Sequence, residues 1–127
     1  MSKYLILTNN NEVVRVSLER IVYISSEGNY TTMVLINKET HLFSFNLATF
    51  EKIIEQQLGT YAQIFIRLGK SLIINANYIY YINVSKQQIT LSDTCFEEKF
   101  TMTASKDALK ALKAILEEST KSRRIGI

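Results

Sequence analysis

The chain contains no proline and only four glycines in 127 residues. Its sharp reversals must therefore rely on Asn, Asp and Ser, whose short polar side chains satisfy a turn's backbone locally. Such residues occur in clusters: Asn9-Asn10-Asn11, the stretches 36–40 (INKET) and 85–88 (SKQQ), and 92–94 (SDT). Between the clusters lie short runs rich in β-branched and aromatic residues, which predict an all-β domain. Residues 4–7 and 13–16 read as a hairpin around the Asn run. Further strands are expected at 20–24, 30–36, 41–45, 72–74, 78–84, 89–91 and 97–102. In the last of these, Phe100 and Met102 share one face at a period of two. Two segments break the pattern. Leu47, Phe50, Ile53, Ile54 and Leu58 recur at helical spacing, with Asn46 as N-cap, which predicts a helix over 47–58. Leu109, Leu112, Ile115 and Leu116 do the same over 105–118, with Ser105 as N-cap and Asp107 in the first turn.

Composition sets the class. Apolar residues make up 46% and charged residues 21%, close to globular averages. A single domain over 1–118 is expected, followed by a short, basic, flexible tail over 119–127. One cysteine, Cys95, excludes an intramolecular disulfide and suits a reducing compartment. The N-terminus has no long apolar segment followed by a small-residue cleavage site. Apolar runs reach only about ten residues, against roughly 20 for a membrane span. The expected location is the cytoplasm, away from membranes.

The residues argue against catalysis. The only histidine, His41, falls in a turn-to-strand segment with no nucleophile placed beside it. Cys95 adjoins a strand and reads as a small, half-buried apolar residue. One Cys and one His cannot supply a usual zinc set. There is no phosphate-binding glycine loop and no calcium loop. Glu51 with Glu55, and Glu117 with Glu118, read as solvated helix faces, as do the lysines of the second helix. No enzyme activity, cofactor or metal is expected.

Formal charge is +3 with a pI near 9.0. Its distribution is more informative. Between Gln56 and Ser92 there is no Asp or Glu, whereas Arg67, Lys70 and Lys86 fall inside. This stretch is either a phosphate-facing surface or a buried one that lacks charge altogether. Within it, 65–79 (FIRLGKSLIINANYI) carries a loop, Leu68-Gly69-Lys70-Ser71, suited to DNA. Gly69 lets backbone approach a phosphate. Lys70 can neutralise a phosphate or donate to guanine. Ser71 adds a hydroxyl and an amide. Arg67 reads equally as a phosphate clamp or a structural ion pair, and Asn75 reads as the tie of a turn. An earlier stretch, 20–31 (RIVYISSEGNYT), runs an apolar strand into a loop and out again at Tyr30.

These two segments, in this order, resemble the LytTR DNA-binding domain of bacterial response regulators. The matching residues are IVYI at 21–24, GNY at 28–30, the helix from Leu47, FIRLGKSLIIN at 65–75 and Ile79. The resemblance covers roughly Val14 to Leu116. It implies an elongated stack of short antiparallel β-sheets with two short helices. It also implies DNA contact by loops lying across successive grooves, with no recognition helix. The base-reading positions would be Asn29, Tyr30 and Thr31 in a first loop, then Gly69, Lys70 and Ser71 in a second. The third pair, Ser105 and Lys106, precedes the last helix; an alignment shifted by two residues would put Thr103-Ala104 there instead. The sequence departs from the family at two points. Gly69 stands where the family has histidine, and Lys106 stands where it has arginine, losing the bidentate fork. Both departures affect the preferred base sequence, and together they admit a domain that no longer binds DNA.

The resulting expectation is a sequence-specific transcriptional regulator of double-stranded promoter DNA. Arg67 and Ser71 would anchor phosphates. Two copies would occupy paired sites about one helical turn apart, as a homodimer on DNA. With no room for a receiver domain, the input would come from an upstream signalling protein or a ligand. Two other classes compete: a protein-interaction β-domain using strand edges and tyrosines, and RNA binding through Tyr78, Tyr80 and Tyr81. The strand context of those tyrosines favours core packing.

Overall fold

A computed structural model describes residues 3–119. Ten strands and two α-helices follow in order: β1 (Tyr4–Thr8), β2 (Val13–Ser17), β3 (Ile21–Glu27), β4 (Tyr30–Leu35), β5 (Thr40–Phe43), α1 (Leu47–Leu58), β6 (Phe65–Leu68), β7 (Leu72–Asn75), β8 (Ile79–Asn83), β9 (Gln88–Asp93), β10 (Phe96–Thr103) and α2 (Lys106–Ser119). Short 3-10 turns at Leu18–Arg20, Gly59–Ile64 and Ala76–Tyr78 join them. The basic tail expected from sequence begins at Ser119, which is the last residue of α2; residues 120–127 lie outside the described residues.

The strands form three antiparallel sheets: the β1–β2 hairpin, a five-stranded sheet in the order β5-β4-β3-β7-β6, and a three-stranded sheet in the order β10-β9-β8. The five-stranded sheet is the middle layer. On one face Ile24, Met33 and Ile73 pack against Phe50, Ile54 and Leu58 of α1 and against Leu5, Leu7 and Val16 of the hairpin. On the other, Val22, Val34, Leu68 and Ile74 pack against Ile89, Leu91 and Phe100 of the small sheet and against Leu109 and Leu112 of α2. A sheet covered on both faces loses the alternation of buried and exposed positions. Hence β4 buries Thr31, Met33, Val34 and Leu35 together.

Turn chemistry follows the residues. Asn9 Oδ1 accepts from the amides of Asn11 and Glu12, closing the first hairpin. Asn83 Oδ1 accepts from Lys86 N at the β8–β9 turn. Lys38 and Gln87 take positive φ at two tips where no glycine stands, each at a cost of about 1 kcal/mol. Asn46 accepts from Thr49 N at 2.9 Å and starts α1. Asn75 is buried, as a turn tie should be: its amide donates to the carbonyls of Ile21 (2.9 Å) and Leu18 (3.4 Å), and its Oδ1 accepts from Asn77 N. Tyr78 is buried, and its hydroxyl donates to the Glu19 carbonyl. Burial holds that phenol well above its usual range.

Several sequence expectations need correction. The strand β6 was not expected, because four residues are too few to show a period. Cys95 is exposed in the β9–β10 turn, where its thiol donates to Asp93 Oδ2. Tyr80 and Tyr81 are 66% and 46% exposed, since β8 is an edge strand. Among the described residues no helix is long and apolar enough to cross a membrane.

Candidate nucleic-acid interface

Antiparallel pairing fixes what meets at each end of the middle sheet. Glu27 pairs with Tyr30 across the two-residue turn Gly28-Asn29, and Leu68 pairs with Leu72 across Gly69-Lys70-Ser71. Because Ser25 also pairs with Leu72, these two turns are neighbours. A backbone hydrogen bond from Ser26 N to the Ser71 carbonyl, 2.9 Å, stitches them together. Gly28 has φ +62° and Gly69 has φ +63°, a region that side chains disfavour. Position 69 therefore carries a backbone conformation that glycine suits.

Arg67 holds the second turn in shape. Its Nη1 pairs with Glu51 Oε1 of α1 at 2.8 Å. Its Nε donates to the Gly69 carbonyl and its Nη2 to the Lys70 carbonyl, both at 3.1 Å. The guanidinium thus straps the tip to α1 with three bonds, and hydrogen bonds to a charged group are the stronger kind. Of the two sequence readings, the ion pair is the one the structure shows. Arg67 positions the loop through one N–H of each guanidinium nitrogen. Glu51 is accordingly a brace as well as a partly solvated residue. It lies sixteen residues from Arg67, and no local spacing announces the pair.

The other predicted positions divide. Asn29, Tyr30, Lys70 and Ser71 are exposed at the shared end of the sheet. Among the described residues Lys70 forms no ion pair. Thr31 is a correction: it is fully buried and its Oγ1 has no hydrogen-bond partner, so it faces the core and cannot touch a ligand. One step along a strand turns a side chain to the opposite face, so Tyr30 is exposed where Thr31 is buried.

The third pair sits elsewhere in the contact network. Ser105 caps α2, its Oγ accepting from Ala108 N at 3.2 Å. Lys106 is the first residue of that helix and is exposed. The preceding residue, Ala104, donates to the Gln87 carbonyl in the β8–β9 turn at 3.2 Å. No described hydrogen bond ties 104–106 to either of the other two tips. Lys110 and Lys113 follow Lys106 along α2, and all three line a groove with Asn83 and Ser85. Sequence reading assigned these helix lysines to a solvated face; their spacing was visible, but the opposite bank of the groove was not.

His41 Nε2 lies 2.9 Å from Glu39 Oε2 on the surface. The hydrogen bond from His41 is the main reason the Glu39 carboxyl is held below its usual range. Among the described residues no cluster of His, Cys, Asp or Glu could hold a metal.

Comparison with known proteins agrees with this geometry. A search of curated proteins finds no match. Among solved structures, the LytTr DNA-binding domain of a Bacillus cereus protein superposes with a TM-score of 0.59 at 20% identity, covering 90% of this chain and 96% of that one. Its layered β-fold is therefore the fold of this chain. The sequence model of the family described as the LytTr DNA-binding domain matches residues 11–117. By that match, which spans both turns and the start of α2, the chain belongs to the LytTR family of DNA-binding domains.

Proposed function

We propose that this protein is a transcriptional regulator that reads double-stranded promoter DNA with the two neighbouring turns of its middle sheet. One observation carries the reading: Gly28-Asn29-Tyr30 and Gly69-Lys70-Ser71 are stitched side by side, and Lys70, which forms no ion pair among the described residues, is exposed there. Lys70 supplies the phosphate or guanine contact, and Asn29, Tyr30 and Ser71 supply polar contacts beside it. Arg67 acts through the loop and not on DNA. Lys106 provides a separate, outlying contact, suited to phosphate more than to base because a lysine is a point charge. Two copies on paired half-sites one helical turn apart would extend the footprint. The input would arrive from a signalling partner. The reading puts the protein with its promoter in the bacterial cytoplasm and assigns it no catalysis.

The test is DNA affinity measured across salt concentrations for the wild type and Lys70→Ala, on fragments selected from a random duplex library. Each phosphate contact contributes about 0.9 to the slope of log affinity against log salt. Lys70→Ala should lose affinity and flatten that slope by about one such step while its unfolding midpoint stays unchanged. Full affinity and an unchanged slope in Lys70→Ala would overturn the site.

A further inference from the structure

Lys106, Lys110 and Lys113 share one face of α2, at steps of four and three residues. They form one bank of a groove whose other bank is the end of β8, with Ile82, Asn83, Val84 and Ser85. Past Ile82 and Lys113 the groove runs into a second hollow lined by Ile79, Tyr81 and Leu116. The two hollows measure about 510 and 390 Å³. β8 pairs only with β9 among the described residues, so its outer margin keeps backbone donors and acceptors unpaired. On that strand, Tyr80 and Tyr81 hold large apolar surfaces in solvent.

These features point to one kind of occupant. An open strand margin offers main-chain hydrogen bonds, apolar shelves accept alternate side chains, and a cationic bank selects acidic ones. A phosphate backbone would use the lysines but neither the tyrosines nor the strand margin. A second copy docked at the same edge would set lysines against lysines. We propose that this groove takes an extended acidic segment of a partner protein, added to β8 as a fourth strand with its carboxylates toward Lys106, Lys110 and Lys113. The Lys113–Glu117 pair is exposed and intrahelical, so an incoming carboxylate can replace it.

The probe is a fluorescein-labelled nonapeptide of alternating valine and glutamate, titrated into the whole chain and read by anisotropy. Backbone amide shifts are followed in parallel. Saturable binding is expected, with shifts concentrated over 79–83. Lys110→Glu combined with Lys113→Gln should weaken it at least tenfold. So should N-methylation of alternate peptide amides against the wild-type protein, which removes strand pairing and leaves charge intact. Three results would each overturn the proposal: no saturable binding, affinity insensitive to N-methylation, or a double variant that binds the peptide as tightly as the wild type. The peptide measurements involve no DNA, so they stand or fall apart from the regulator reading.

Discussion

The two cation-bearing segments, 69–71 and 104–106, are built in opposite ways. The first is over-determined. Arg67 grips two of its carbonyls, Glu51 grips Arg67, and a strand-to-strand hydrogen bond ties Ser71 to Ser26. The second is held by the Ser105 cap and by two backbone hydrogen bonds, from Ala104 N to the Gln87 carbonyl and from Leu109 N to the Ser105 carbonyl. Both lysines are exposed, but Lys70 stands on a turn braced by a charged side chain, whereas Lys106 stands on the first turn of a helix. Lys106 also sits at the positive end of a helix, where a cation is disfavoured. The comparison teaches that a basic residue in a DNA-binding motif can serve the loop and not the nucleic acid. Arg67 and Lys70 are three residues apart and have different tasks.

The largest expected effect falls on the brace. Arg67→Ala removes three hydrogen bonds made by a charged group and should cost about 1–3 kcal/mol in stability, the lower part of that range if solvent replaces the exposed bonds. DNA affinity should fall at least as far as in Lys70→Ala, although no DNA contact is deleted. A denaturant series combined with binding measurements checks this; stability and affinity both left intact would erase the contrast between the segments. Next comes Gly69→Ala. The space around the position is open, so the penalty is the backbone alone, about 1–2 kcal/mol for an L-residue held at positive φ. Thermal unfolding of Gly69→Ala beside Gly69→Asn sharpens the point, since asparagine tolerates that region and should lose less.

Smaller effects are expected at the other segment. Ser105→Ala deletes the cap of α2 and should cost about 1 kcal/mol, with Ser105→Asp restoring it in a melting experiment. Lys106→Ala should move the two readouts in opposite directions. Stability rises by a few tenths of a kcal/mol because a cation leaves the helix start, while DNA affinity drops and its salt slope flattens. A Lys106→Ala protein that is less stable, or that binds DNA as tightly as before, would break the proposed division between the two sites.

Much of this layout was legible in the sequence. Asn9, Asn46, Asn75 and Ser105 announce their turns and caps because each accepts a bond from a residue two or three places on. The two helices show in their apolar spacing, and the paired turns show as GNY and GKS. What could not be read depends on distant partners. The direction of Arg67 is set by Glu51 on another element. Thr31 looks like a contact residue until the sheet is known to be covered on both sides. Tyr80 and Tyr81 read as core until β8 is known to be a margin. β6 is too short to carry a period, and the groove along α2 needs two elements that meet only in three dimensions.

Gln57 of α1 shows how such a margin is closed when closure is wanted. Its side-chain amide accepts from Ile6 N at 2.8 Å and donates to the Ile6 carbonyl at 2.7 Å, occupying both outward backbone groups at the centre of β1. One glutamine therefore imitates a neighbouring strand and denies that border to any other chain. The molecule is left with unequal frontiers, one sealed from within and one along β8 still open to recruitment.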